Sequence, residues 1–133
     1  MTERQGRILL IDDSEAVLAR VSATLTAAGY DVVTTSQTVG AGRLLPGCDL
    51  VVIDYHMPGI DGRAVLESLR AAVQAWSKKP LFYLYTSDKP LASQYRRLGF
   101  DGAFTDKGDL GKLARQVDAA LRLVRLKALR KGS

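Results

Sequence analysis

The chain is predicted to fold as an α/β domain, a parallel sheet of five strands covered on both faces by helices. Two observations carry this. Short runs rich in Val, Ile and Leu alternate five times with longer segments whose apolar residues recur at helical spacing. The connections are short, and no repeat, linker or low-complexity segment interrupts the rhythm. Alternating β and α units of this kind bury a parallel sheet between helical layers. The 133 residues suffice for one domain with its own core, expected over about 6–124, with 125–133 as a basic helix end or tail.

Ile8 to Ile11 reads as the first buried strand and ends in Asp12-Asp13-Ser14. A helix follows to about Ala28, with Leu18, Val21, Leu25 and Ala28 on one face and Gly29 as its stop. Asp31 to Thr35 is a short β-branched strand, and Val39 to Leu45 a helix weakened by Gly40 and Gly42. Pro46-Gly47 turns the chain into Leu50-Val51-Val52-Ile53, four apolar residues in a row, the mark of a strand buried on both faces. That run breaks at Asp54 and passes through Pro58-Gly59 to Gly62. From Gly62 a helix runs to about Ala75, with Val65, Leu69, Ala72, Val73 and Trp76 inward. Leu81 to Tyr85 is the fourth strand, ending in Thr86-Ser87-Asp88. Pro90 suits the first turn of a helix that closes at Leu98-Gly99. Ala103 to Thr105 is the fifth strand, and Leu110, Leu113, Val117, Leu121 and Val124 form the buried stripe of the last helix.

Composition narrows the function classes. Apolar content of 47% and charged content of 25% are those of an ordinary globular protein. The early apolar run is too short for a signal peptide or membrane span, so a cytoplasmic protein is expected. One cysteine, Cys48, and one histidine, His56, supply neither a disulfide framework nor a zinc-ligand set. The net charge of +5 resides in the tail: residues 110–133 carry seven Lys/Arg against Asp118 alone, whereas the rest carries twelve against thirteen acids.

In an open α/β sheet, ligands sit at the carboxyl ends of the strands. Asp12 and Asp13 follow the first strand, Asp54 ends the third, and Thr86 and Ser87 end the fourth. If the first and third strands are neighbours, three carboxylates converge, and each raises the pKa of the others. A hard divalent cation resolves this; Mg²⁺ takes one or two carboxylates and keeps several waters. The plain alternatives are that Asp13 or Ser14 only caps the first helix and that Asp54 only accepts hydrogen bonds in its turn.

Together, Ile8–Ser14, Asp49–Gly62, Leu84–Asp88 and Gly99–Leu110 resemble the receiver domain of bacterial two-component response regulators, and the likeness covers nearly the whole chain. It implies a doubly wound, flavodoxin-like (βα)5 sheet of strand order 2-1-3-4-5. It also implies a stand-alone phosphoacceptor switch rather than an enzyme, taking a phosphoryl group onto Asp54 from a histidine kinase or phosphotransfer protein. By the same resemblance Asp13 holds Mg²⁺ directly, Asp12 through water, and His56 through its backbone carbonyl. Thr86 contacts the phosphoryl group, Phe104 is the aromatic switch, and Pro58 and Gly62 shape the neighbouring loop.

The likeness is ambiguous at one place. The family places a lysine, usually followed by proline, after the fifth strand, and here the chain reads Phe104-Thr105-Asp106-Lys107-Gly108. Counting forward from Gly99 puts Asp106 in the lysine slot and Ala103 at the switch position. Counting back from Leu110 permits Lys107, with one extra residue bulging out at the strand end. Lys107 is the expected occupant. If Asp106 held the slot, a pseudo-receiver used only for protein docking would be the better reading. A Mg²⁺-dependent phosphohydrolase is disfavoured because its Asp-x-Asp spacing is missing from Asp12-Asp13-Ser14. Beyond the buried stripe of the last helix, Leu123, Leu126 and Leu129 recur at i, i+3 and i+6 between Arg122, Arg125, Lys127 and Arg130. This second strip is a candidate docking surface for an output protein or a second copy, acting with the fourth helix and fifth strand. Nucleic acid is a weaker candidate, because the basic residues lack interleaved aromatics.

Overall fold

Leu50, Val51, Val52 and Ile53 are at most 1% exposed, because the strand they form lies in the middle of a sheet with helices on both faces. The computed structural model describes the backbone of residues 6–57 and 59–132, and the side chains of these up to residue 126. Pro58 and the side chains of Lys127, Leu129 and Arg130 therefore lie outside the described residues. The elements follow in the order β1 (Arg7–Ile11), α1 (Glu15–Ala27), β2 (Asp31–Thr35), a 3₁₀ turn (Ala41–Leu44), β3 (Leu50–Asp54), β4 (His56–Met57), β5 (Ile60–Asp61), α2 (Gly62–Ala72), β6 (Leu81–Tyr85), α3 (Lys89–Ser93), α4 (Tyr95–Leu98), β7 (Gly102–Phe104) and α5 (Leu110–Gly132).

The main sheet runs β2-β1-β3-β6-β7, all parallel, which is the order 2-1-3-4-5 for its five strands. Alternate residues of each strand face opposite layers. Leu9, Ile11, Val51, Ile53, Phe82 and Leu84 pack with α2 and the 3₁₀ turn. Ile8, Leu10, Leu50, Val52, Tyr85 and Phe104 pack with α1 and α5. Carboxylates stitch the amino ends of the strands: Arg7 N–H donates to Asp49 Oδ2 at 2.9 Å, and Phe82 N–H to Asp101 Oδ2 at 2.8 Å. No helix among the described residues is long and apolar enough to cross a membrane.

Four local expectations are corrected. The weak helix at Val39–Leu45 shrinks to the 3₁₀ turn, since Gly40 takes a left-handed conformation (φ 79°) and the chain closes on short-range bonds such as Arg43 N–H to Gly40 O. On α2 the buried stripe is Val65, Leu66 and Leu69, continued by Val73, and Ala72 faces solvent. The single helix expected from Pro90 to Leu98 is broken at Gln94 (φ −98°, ψ 16°) into α3 and α4. Just before the break, Ser93 Oγ donates to the Pro90 carbonyl at 2.7 Å, a side-chain bond that competes with the helical ladder. Finally, the turn after Asp54 is a small antiparallel ribbon, with His56 opposite Asp61 and Met57 opposite Ile60.

The ribbon requires Gly62. A Cβ there would stand 2.8 Å from Tyr55 Cα and 3.0 Å from the Asp54 carbonyl oxygen, both backbone atoms without freedom to move aside. Gly62→Ala should lose about 1–3 kcal/mol, the usual cost of overpacking. Thermal denaturation checks this, and an unchanged melting temperature would refute the tight approach.

Candidate functional site

Register brings the carboxylates together. Ile11 pairs with Ile53, so the next residues, Asp12 and Asp54, leave neighbouring strands side by side. Carboxylate oxygens of Asp12, Asp13 and Asp54 lie within 4.8 Å of one another. Asp12 and Asp54 are 1% and 6% exposed, whereas Asp13 faces solvent. Asp12 Oδ1 accepts the Ser14 N–H at 2.9 Å, and Ser14 Oγ in turn caps α1 by accepting the Val17 N–H at 3.3 Å. The capping role thus belongs to Ser14, and Asp13 is left open.

Lys107 completes the cluster. Its Nζ lies 2.6 Å from Asp12 Oδ2 and 3.0 Å from Asp54 Oδ1. Asp106 does not compete for this place. It adopts a left-handed conformation (φ 55°), turns its carboxylate away to Lys112 on α5, and is held below the ordinary carboxylate range by that lysine. An extra residue therefore loops out between Phe104 and Lys107, and Asp is one of the few residues besides Gly that tolerates such a φ.

The cleft holding these groups has a volume of about 350 Å³ and is lined also by His56, Thr86, Ser87 and Asp88. Thr86 is buried; its N–H donates to the Phe104 carbonyl, and its Oγ1 accepts the Asp88 N–H at 3.1 Å. The His56 side chain is exposed and stands edge-on to the Tyr55 ring, with centroids 5.3 Å apart. Ser87 Oγ donates to the Lys107 carbonyl at 3.4 Å, tying the loop after β6 to the loop after β7. The pattern Thr86-Ser87-Asp88 placed Ser87 at the strand end, but that cross-link depends on a loop 20 residues away and had no signal in the chain.

Burial pushes the Asp54 carboxyl up; the hydrogen bond and charge of Lys107 oppose this, and Asp12 and Asp13 add to the rise. For Lys107, burial works to lower the ammonium pKa, but its contacts with Asp12 and Asp54 win and hold it above the ordinary lysine value. The site is thus a strained anionic cluster with one internal cation. Three carboxylates with one of them open to solvent also form a donor set suited to a hard divalent cation.

Phe104 is 2% exposed, stacks on Tyr83 at 4.5 Å between centroids and lies in the core beneath α1 and α5. Ala103, paired with Leu84, occupies the register that faces the other layer, against which α4 packs.

The sequence profile of the response regulator receiver domain matches residues 8–118. The chain belongs to this family. Among curated relatives, the receiver aligns over 120 residues with the transcriptional regulatory protein KdpE of Mycobacterium tuberculosis, at 30% identity, covering 86% of this chain and 50% of KdpE. It aligns over 68 residues with the chemotaxis protein CheY of Treponema pallidum, at 37% identity and covering 47% of each. The receiver thus spans about half the length of these relatives, or less. Among solved structures, it overlays a CheY-like receiver domain from Methanospirillum hungatei with a TM-score of 0.75 and 18% identity, over 92% of this chain and 98% of that one. It overlays CheY4 of Vibrio cholerae with a TM-score of 0.73 and 21% identity, over 86% and 97%. These last two likenesses establish the fold, a five-stranded parallel sheet with helices on both sides.

Proposed function

We propose that this receiver is a phosphoacceptor switch: Asp54 takes a phosphoryl group from the phosphohistidine of a histidine kinase or phosphotransfer protein. The observation that carries this reading is Lys107 Nζ lying between Asp12 and Asp54, at 2.6 and 3.0 Å. A carboxylate oxygen of Asp54 attacks phosphorus, the P–N bond of the donor breaks, and the imidazole leaves with the bonding electrons. Lys107, already at hydrogen-bond distance from Asp54, is positioned to neutralise the oxygens of the group that arrives. Asp12 holds Lys107 in place, and the buried hydroxyl of Thr86 stands at the wall of the same cleft to meet the new charge.

Asp12, Asp13 and Asp54 suit Mg²⁺, with the His56 backbone carbonyl as a further ligand; bound there, the cation supplies charge neutralisation and alignment of the transferring group. Rearrangement at Thr86 passes through its N–H bond to Phe104 O into β7, and through Asp88, the cap of α3, into α3 and α4. The altered surface there is the output, read by a partner protein or a second copy of the chain. We read residues 1–133 as one signalling module rather than an enzyme with an external substrate. The pseudo-receiver alternative leaned on Asp106 filling the lysine slot, and Asp106 points elsewhere.

Intact-mass measurement after incubation with acetyl phosphate and Mg²⁺ tests the reading. One phosphoryl group should be gained, and none in excess chelator; no gain in either condition would leave only the docking role. Mg²⁺ should also raise the melting temperature, because a ligand held only by the folded state stabilises it. Asp13→Asn should abolish most of that gain while changing metal-free stability little, since Asp13 is exposed. An undiminished Mg²⁺ shift in this variant would remove Asp13 from the ligand set.

A further inference from the structure

Lys112 stands where a helix does not favour a cation. Asp109 caps α5: its Oδ1 accepts the Lys112 N–H at 3.1 Å, and its carbonyl accepts the Leu113 N–H at 3.1 Å. Leu110, Gly111 and Lys112 therefore form the first turn, where the positive end of a helix favours an acid, yet that turn contains none. A residue that breaks a local preference signals a compensating contact elsewhere. Here the contact is to Asp106: the Lys112 ammonium reaches back out of the helix to that carboxylate.

Asp106 needs a holder. Its φ of 55° is sparsely populated for a residue with a side chain, and such a conformation persists only where the surroundings enforce it. Gly108 (φ 112°) is left-handed as well, so the backbone turns sharply on both sides of Lys107. The loop is held by Lys112 on the Asp106 carboxylate, by the Asp109 N–H on the Asp106 carbonyl at 2.9 Å, and by Ser87 Oγ on the Lys107 carbonyl at 3.4 Å. The first of these draws the Asp106 side chain away from the carboxylate cleft, which Lys107 lines and Asp106 does not.

We infer that Lys112 is a positioning residue: by holding Asp106 out of the cleft it keeps the left-handed turn in place and so sets Lys107, rather than Asp106, beside Asp54. The choice turns on one residue. With Asp106 extended, the loop would follow the strand path, and the forward count from Gly99 would carry an acid to the place of the lysine. Its charge would then face Asp12 and Asp54, giving the acceptor a repelling neighbour in place of a cation. In the free site the contacts of Lys107 with Asp12 and Asp54 support the same arrangement. Those contacts change once Asp54 carries a phosphoryl group, whereas the Asp106–Lys112 pair lies outside the cleft and remains. The consequence for transfer rests on the phosphoacceptor reading of Asp54; the placement of Lys107 does not. Lys89, at the start of α3, is another cation whose charge Asp106 feels, so the test changes Asp106 as well as Lys112.

The full chain is compared with Lys112→Met, Lys112→Arg and the double variant Asp106→Gly/Lys112→Met. One readout is the NMR signal of the Lys107 ammonium in excess chelator, whose proton exchange its two carboxylate partners slow; the other is the rate of labelling by acetyl phosphate with Mg²⁺. Lys112→Met should broaden the ammonium signal and slow labelling about fivefold, the most that a pair this exposed supplies. Its melting temperature should change little, since losing the pair is offset by removing a cation from the first turn of α5. Lys112→Arg should keep signal and rate near those of the parent. In the double variant both should return, because glycine takes the left-handed turn unaided and no acid is left to enter the cleft. A parent-like signal and rate in Lys112→Met would overturn this role. So would a defect that the double variant retains, which would make Lys112 a structural residue of α5 only. A parent chain that takes up no phosphoryl group would count against the reading of Asp54, while the ammonium signal in chelator still decides the role of Lys112.

Discussion

Asp54→Asn should take up no phosphoryl group from acetyl phosphate and Mg²⁺, and in metal-free buffer it should melt higher than the parent. The first effect is complete because, among the described residues, Asp54 is the buried strand-end carboxylate that accepts no backbone N–H, whereas Asp12 carries the Ser14 N–H and the closer contact to Lys107. The second follows from the direction of the Asp54 pKa, raised above 3.8 chiefly by burial. A carboxyl whose folded pKa exceeds its unfolded value contributes stability that is present below the unfolded value and lost as pH rises through the folded one. At neutral pH the ionised Asp54 is therefore a cost, and the neutral amide removes it without orphaning Lys107, which keeps Asp12. A gain of about 1 kcal/mol at pH 7 is of the expected order. The difference between the two proteins should shrink as pH falls toward and below 3.8, as the parent carboxyl takes up its proton. Melting curves across that range decide it. A variant less stable at neutral pH would mean that the Lys107–Asp54 contact outweighs the burial of the charge.

Lys107→Met should be the most damaging single change at the site. It leaves Asp12 and Asp54, 1% and 6% exposed, as two buried carboxylates without a cation between them. Breaking a buried pair by deleting one partner costs about 3–5 kcal/mol, and with the Lys107 side chain 21% exposed about 2–4 kcal/mol is expected here. The loss should be greatest at neutral pH and partly recovered on acidification, as one carboxyl takes up a proton. Combining it with Asp54→Asn should restore part of the stability, since one of the two stranded charges is gone, and the two effects will not add. In the parent, the contribution of Lys107 is present below its ordinary value of 10.5 and fades only as pH rises through its higher folded value. Chemical denaturation of the two single variants and the double variant at neutral and acid pH checks all of this. Strict additivity would separate Lys107 from Asp54.

The sequence by itself determined the architecture and the three carboxylates Asp12, Asp13 and Asp54. Buried strands and amphipathic helices are written in local periodicity, so Leu50–Ile53 and the inward Val65 and Leu69 of α2 are legible without knowing their neighbours. Asp12 and Asp54 are legible for the same reason, as charges that terminate apolar runs. Helix continuity across Gln94 was less legible, because the break depends on a serine hydroxyl choosing the Pro90 carbonyl over solvent. Only the tertiary structure decided between Asp106 and Lys107. Counting from either end of the loop gave different answers, and a left-handed Asp106 reconciles them by letting one residue out of the strand path. The same extra residue bears on where Phe104 lies. Side chains alternate across a sheet with period 2, so an offset of one between strand and loop separates what the loop count implies from what the strand register enforces. Lys107 therefore reaches Asp12 and Asp54 while Phe104, three residues earlier, is turned into the core beneath α1 and α5.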